Sequence, residues 1–266
     1  MRHRVTVRSV PGVREPDQLF ADPCWAIHYD ALDPDRSDLD AYVALVDELG
    51  VRRVVDVGCG TGSLAVLLAV RGCDVVGVDP AGASLDVART KPYGDRVRWV
   101  HGDATALEDM SLAADLVVMT GNVAQVFIDD EDWHRTLDAV RTCLRPGGWF
   151  VFETRRPEDR AWERWGHQAD TVVLPDGRTA VVSMTVTEVA WPWVSFESVA
   201  SIGDQVLTST STLRFRGPGE LTDDLAHHGF EVVEVRDAPD RPGREYVVVA
   251  RLRVGGAVSR ATADGR

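Results

Sequence analysis

Apolar positions between residues 37 and 153 repeat with two alternating periods. Tyr42, Leu45, Val46 and Leu49 recur at helical spacing, with Ser37 placed to cap the helix and Gly50 to end it. Val51–Val57 is a short β-branched run and predicts a buried strand. Leu64, Leu67 and Leu68 predict a helix that stops near Gly72, and Val75–Val78 a second strand. Residues 82–90 predict a helix, Val97–His101 a third strand and Leu116–Met119 a fourth. Trp133, Leu137, Val140 and Leu144 make a clear amphipathic helix. Asp129–Asp132 set four carboxylates at its start, where the helix dipole favours them. Pro146, Gly147 and Gly148 end it, and Trp149–Glu153 predict a fifth strand.

Strand–helix alternation of this kind implies a mostly parallel sheet with helices on both faces. After Glu153 the pattern changes. A short helical stretch holds Trp162 and Trp165, then β-rich runs fill Thr171–Arg216. Turn signals at Pro175-Asp176-Gly177, Trp191-Pro192 and Gly203-Asp204 predict antiparallel strands, read as an inserted small sheet. A helix over Glu220–His228 and strands over Phe230–Arg236 and Tyr246–Leu252 return to the first pattern. The division expected is an N-terminal lid segment over 1–50, a main domain over 51–253 with the insertion at 158–216, and a flexible tail over 254–266. Residues 1–16 read as a frayed start or an edge strand.

Composition narrows the function. The 266 residues carry 42 acidic and 29 basic side chains, for a net charge of −13. An acidic chain is a poor nonspecific binder of nucleic acid. No apolar run approaches a membrane span, and no apolar stretch follows the N-terminal arginines to make a signal peptide. Cys24, Cys59, Cys73 and Cys143 form no metal-ligand spacing, so reduced thiols in a cytoplasmic protein and no metal site are expected. Lys91 is the sole lysine and reads as a bias of composition.

The sharpest motif is Asp56-Val57-Gly58-Cys59-Gly60-Thr61-Gly62, a strand entering a glycine-rich turn before a helix. Glycines let the backbone approach a ligand, and the helix start offers free N–H donors. The dinucleotide pattern G-x-G-x-x-G/A meets Ser63 at its sixth position. Asp79 closes the second strand, 17 residues past Gly62, where a carboxylate can accept both hydroxyls of a ribose or cap the next helix. Asp103, in Gly102-Asp103-Ala104 after the third strand, can accept an adenine amine or shape a turn.

With these elements and the Leu144–Gly148 turn, the sequence resembles the class I S-adenosylmethionine-dependent methyltransferases over about Val51–Glu153. The resemblance implies a Rossmann-like α/β fold, doubly wound, with a mostly parallel seven-stranded sheet whose last strand is antiparallel. It implies S-adenosyl-L-methionine as cofactor. Asp56, Gly58, Cys59, Gly60, Thr61 and Gly62 would line its methionine part, Asp79 and Pro80 its ribose, and Asp103 and Ala104 its adenine. Thr120, Gly121 and Asn122 would face the sulfonium and amino acid end. Tyr29 and Arg36 fall where the family carries a lid helix. Arg36 pairs there with the cofactor carboxylate, or else forms a surface ion pair with its acidic neighbours.

Several acceptor signatures are missing. The Asp/Asn-Pro-Pro-aromatic run of base-amine methyltransferases is replaced by Thr120-Gly121-Asn122-Val123-Ala124-Gln125. The paired-glutamate loop of protein arginine methyltransferases and the acidic metal ligands of catechol-type enzymes are also missing. A small-molecule acceptor remains, with the insertion as pocket wall or as the surface of a homodimer. Trp162, Trp165, Trp191, Trp193 and Phe196 either line that pocket or pack the small sheet's core. His28 and Glu153 are the candidate bases; His134 reads as a surface residue. The competing readings are a cofactor-binding protein without transferase activity, one acting on a protein or RNA partner, and an NAD-dependent oxidoreductase.

Overall fold

Strand residues of the central sheet alternate strictly between two apolar cores. In the computed structural model, which describes residues 16–166 and 168–254, Val55, Val57, Val117, Met119, Phe150 and Phe152 pack into one core. Their neighbours Val54, Leu116, Val118 and Val151 pack into the other. Both faces of the sheet are therefore covered, as a parallel sheet requires. The first core takes Trp133, Leu137 and Val140 from α7 (Asp130–Cys143), with Leu221 and Leu225 from α8 (Pro218–His227). The second takes Tyr42, Leu45 and Val46 from α4 (Asp40–Leu49), with Leu64 and Leu68 from α5 (Ser63–Val70).

The seven strands run in the order β10-β11-β5-β4-β1-β2-β3. They are β1 (Arg53–Val57), β2 (Asp74–Asp79), β3 (Val97–His101), β4 (Ala114–Met119), β5 (Leu144–Arg155), β10 (Phe230–Asp237) and β11 (Glu245–Leu252). The central pairs are parallel, while β11 is antiparallel to both β5 and β10. The strand order reverses between β1 and β4, and in open α/β sheets ligands bind at that point, beyond the carboxyl ends of the strands.

The insertion is a separate antiparallel sheet, β6 (Asp170–Val173), β7 (Thr179–Ala190), β8 (Trp193–Ile202) and β9 (Gln205–Arg214), in that order. Its three predicted turns fall between these strands. Before the main domain, α1 (Gln18–Ala21), α2 (Pro23–Ala26) and α3 (Tyr29–Leu32) are single helical turns.

Three local expectations change. Ser37 opens a 3-10 turn over Ser37–Leu39, and α4 begins after it without a side-chain cap. Gly50 does end α4, with φ 62°. Strand β5 starts at Leu144, because Leu144 already pairs with Ala114; residues 145–148 form an irregularity before pairing resumes at Trp149 with Leu116. His134 is half-buried: its ring stacks on His228 at 5.0 Å, and the pair meets through Nδ1 and Nε2 at 2.8 Å. The expectations for residues 1–15 and 255–266 lie outside the described residues.

Candidate active site

The glycine turn is shaped by its packing on one side and by open space on the other. Gly58 and Gly62 both have positive φ, 72° and 78°. A Cβ on Gly58 would meet Val123 at 2.6 Å, and one on Gly62 would meet Trp99 at 2.3 Å. Gly60, with φ 54°, would meet nothing within 4 Å. Gly58 and Gly60 face the cavity, whereas Gly62 serves the packing of Trp99 and does not line it.

Asp79 joins this turn to the second strand. Its Oδ2 accepts the Gly60 N–H at 2.7 Å and its Oδ1 accepts the Ala81 N–H at 2.7 Å. The carboxylate thus shapes the turn that leads into α6 (Gly82–Thr90) without capping that helix, ties this turn to Gly60, and still lines the cavity. Burial raises its pKa, although those two N–H bonds work against the rise. Asp56 lies behind the turn, 1% exposed and outside the cavity lining. Burial first, and then the Asp79 charge, push its carboxyl up to about 7. Its Oδ1 has no hydrogen-bond partner.

One cavity of roughly 620 Å³ connects these groups to the insertion. Pockets of this size hold drug-sized ligands. Tyr29, Arg36, Gly58, Cys59, Gly60, Thr61, Asp79, Pro80, Thr120, Gly121 and Asn122 from the sequence set line it. Arg36 also reaches Asp38 at 3.3 Å, so the ion-pair alternative coexists with a place in the wall. Asn122 has φ 59°, and Gly121, with φ 66°, has open space where a Cβ would go.

The remaining sequence candidates fall elsewhere. Asp103 accepts from Thr105 N–H at 2.9 Å and Thr105 O–H at 2.6 Å, which is the turn-forming arrangement; neither it nor Ala104 lines the cavity. His28 is buried and accepts from Arg178 Nη2 at 3.1 Å, away from the cavity wall. Glu153 is also buried behind the wall. It accepts from Tyr42 O–H and, at 3.1 Å, from the Asn122 N–H. Neither candidate base faces the cavity. Of the five aromatic residues proposed for its lining, only Phe196 is there. Trp162 packs with Val194 and Phe215, Trp165 lies against them, and Trp191 and Trp193 are exposed at a hairpin end.

Several residues of the site carry no local motif. Lys91 Nζ binds Asp30 at 2.6 Å and Ser63 Oγ at 2.8 Å, and Asp30 also accepts from Thr61 O–H at 2.6 Å. The lone lysine therefore pins the N-terminal segment to the glycine turn. At the other end of that segment, Asp17 accepts from the hydroxyls of Ser209 and Ser211 on β9. The segment so spans the cavity from the glycine turn to the insertion. A buried network, Glu153, Asn122, Glu245 and Arg241, holds the Gly121–Asn122 turn: Asn122 Nδ2 donates to Glu245 at 2.9 Å and Arg241 Nη1 donates to it at 3.0 Å. No sequence signal marks these partners, because they lie up to 123 residues apart.

The residues fit a nucleoside with a charged amino acid end. Gly60 and Gly121 leave room for close backbone approach. Asn122 Oδ1, buried with no partner beside the cavity, offers an acceptor for an ammonium group.

The fold is a Rossmann-like α/β domain, and comparisons with known proteins give its family. The methyltransferase domain family model matches residues 54–148. An uncharacterized methyltransferase of Mycobacterium bovis is 32% identical over 195 residues, covering 66% of this chain and 74% of that protein. The cypemycin N-terminal methyltransferase of a Streptomyces species is 34% identical over 149 residues, 56% of this chain and 60% of its own length. The chain spans about 60% of the length of such curated relatives. A sugar N-methyltransferase from Streptoalloteichus shares the fold, with TM-score 0.73 and 20% identity over 96% of this chain and 100% of that one. The chain belongs to the class I S-adenosylmethionine-dependent methyltransferases.

Proposed function

We propose that the protein transfers the methyl group of S-adenosylmethionine to a small-molecule acceptor. One observation carries this reading: a single cavity is lined by the glycine turn and Asp79 at one end and by Phe196 and Thr208–Leu213 of the insertion at the other. Asp79 would hold the ribose, Thr120–Asn122 the amino acid end, and Arg36 the carboxylate. Asp103 and Ala104 would reach the adenine only after the Thr105 contacts give way. The bound cofactor supplies an already activated methyl group. The chain's own contribution is to align the acceptor with it and to exclude water.

The N-terminal segment serves as lid, tied down through Asp30 and Asp17. The insertion serves as the acceptor wall, and its open strand edges are the surface through which a homodimer would form. An acceptor arriving as a free amine needs little proton removal, which agrees with the candidate bases facing away from the cavity. The relative from Streptomyces, the cypemycin N-terminal methyltransferase, supports the same direction. No described helix is long and apolar enough to cross a membrane. With four free cysteines, the reading places the enzyme in the cytoplasm.

The test uses methyl-labelled S-adenosylmethionine and a cell extract split into small-molecule and macromolecular fractions. Label entering the small-molecule fraction is expected. Label confined to protein or RNA would contradict the proposal.

A further inference from the structure

Arg155 stands at the end of β5, where the main sheet meets the insertion. It lines the cavity with the Gly121–Asn122 turn on one side and Phe196 on the other. Its Nη1 donates to Gln125 Oε1 at 3.0 Å, and its guanidinium lies 5.5 Å from the Trp165 ring centre. Gln125 is itself fully buried, and Trp165 meets Phe196 edge-on at 5.3 Å. The side chain is thus held in place by an amide and an aromatic ring.

Its charge is not matched by a contact. Among the described residues Arg155 makes no ion pair, whereas Arg36, the other arginine in the wall, is paired with Asp38. Glu153 and Glu245 stand behind Arg155 without bonding to it: Glu245 Oε1 takes Arg241 and Asn122 while its Oε2 has no partner, and Glu153 is held by Tyr42, the Asn122 N–H and, at 3.8 Å, Arg241. With Nη1 on Gln125, the Nε–Nη2 edge keeps two parallel N–H groups free of partners among the described residues. That fork matches a planar carboxylate. A single guanidinium balances one negative charge, and Phe196, Thr210 and Thr212 nearby offer one ring face and hydroxyls for the rest of a ligand.

We propose that Arg155 is a specificity residue that receives a carboxylate on the acceptor, so that the acceptor is a small organic acid anchored by its anionic end. The proposal rests on the methyltransferase reading and deepens it. Anchoring one end of the acceptor fixes the direction in which its nucleophile enters, which is the alignment that methyl transfer requires.

The experiment saturates the protein with S-adenosylhomocysteine and titrates benzoate, benzamide and phenyl phosphate in turn by ligand-observed NMR. Benzoate is expected to bind at least about tenfold more tightly than benzamide. Arg155→Gln should bring the two within about twofold, and Arg155→Lys should keep part of the preference, with S-adenosylhomocysteine affinity unchanged in both. Equal binding of benzoate and benzamide to the wild type overturns the proposal without any variant. A benzoate preference that survives in Arg155→Gln, with only a lower melting temperature, overturns it too and makes Arg155 a counter-ion for Glu153 and Glu245. Tighter binding of phenyl phosphate than benzoate replaces the carboxylate by a phosphate and overturns the organic-acid assignment. A wild type that fails to bind S-adenosylhomocysteine overturns the reading beneath, and the proposal with it.

Discussion

The two ends of the cavity are built by different means. At the glycine-turn end, backbone does the work: Gly58 and Gly60 present turns with positive φ, and Asp79 ties Gly60 to the Ala81 turn by accepting both N–H groups. At the insertion end, side chains do it: Arg155, Gln125, Phe196 and the hydroxyls of β9 come from four separate segments. A backbone-built site needs particular residues at fixed spacings along one strand–turn–helix unit. A side-chain-built site needs only that distant segments meet, so its chemistry can vary while the sheet stays the same.

That contrast can be broken or sharpened by experiment. The largest expected effect concerns the carboxyl of Asp56. Its folded pKa of about 7 is above the ordinary value of 3.8, so the unfolded chain releases this proton first. The stabilising contribution is complete below pH 4 and is lost as pH rises through 7, on the order of 4 kcal/mol in total. Denaturant melts of wild type and Asp56→Asn between pH 4 and 8 should converge at the acid end. The variant should be the more stable above pH 7; parallel curves would mean that Asp56 titrates normally.

Next comes a comparison within the glycine turn. Gly62→Ala drives a Cβ toward Trp99 at a positive φ, and about 3 kcal/mol of stability should be lost. Gly60→Ala meets only open space, so its strain is smaller and its main effect should be on cofactor affinity. Thermal melts and titration together distinguish the two, and equal effects on both would remove the division of labour.

Asp79→Ala should weaken S-adenosylhomocysteine about 100-fold, since it removes a buried acceptor and loosens Gly60. Asp103→Ala should have the smallest effect, about tenfold in affinity with the protein still folded. Unchanged affinity with lowered stability would leave Asp103 only its Thr105 contacts.

How much was legible in the sequence follows the same division. Strand–helix alternation, the inserted antiparallel sheet and the glycine turn with Asp79 were readable, because periodicity and φ constraints act locally. Gly62 was readable as a required glycine, but its reason, Trp99 lying on it, comes from β3. His28 and Glu153 are candidate bases by position alone, and position does not give orientation. Each turned to a partner supplied by a distant segment, His28 to the exposed Arg178 and Glu153 to the buried Tyr42. Lys91 reads as compositional because its partner Asp30 lies 61 residues earlier, in the N-terminal segment. Arg155 had no motif at all.

The central claim is that this cavity holds S-adenosylmethionine. Calorimetric titration of the purified protein with S-adenosylhomocysteine, with NAD as a parallel control, tests it most directly. The expected result is one saturable site for S-adenosylhomocysteine, weakened about 100-fold in Asp79→Ala, and no heat from NAD. Binding of NAD in place of S-adenosylhomocysteine, or no binding of either, would contradict it.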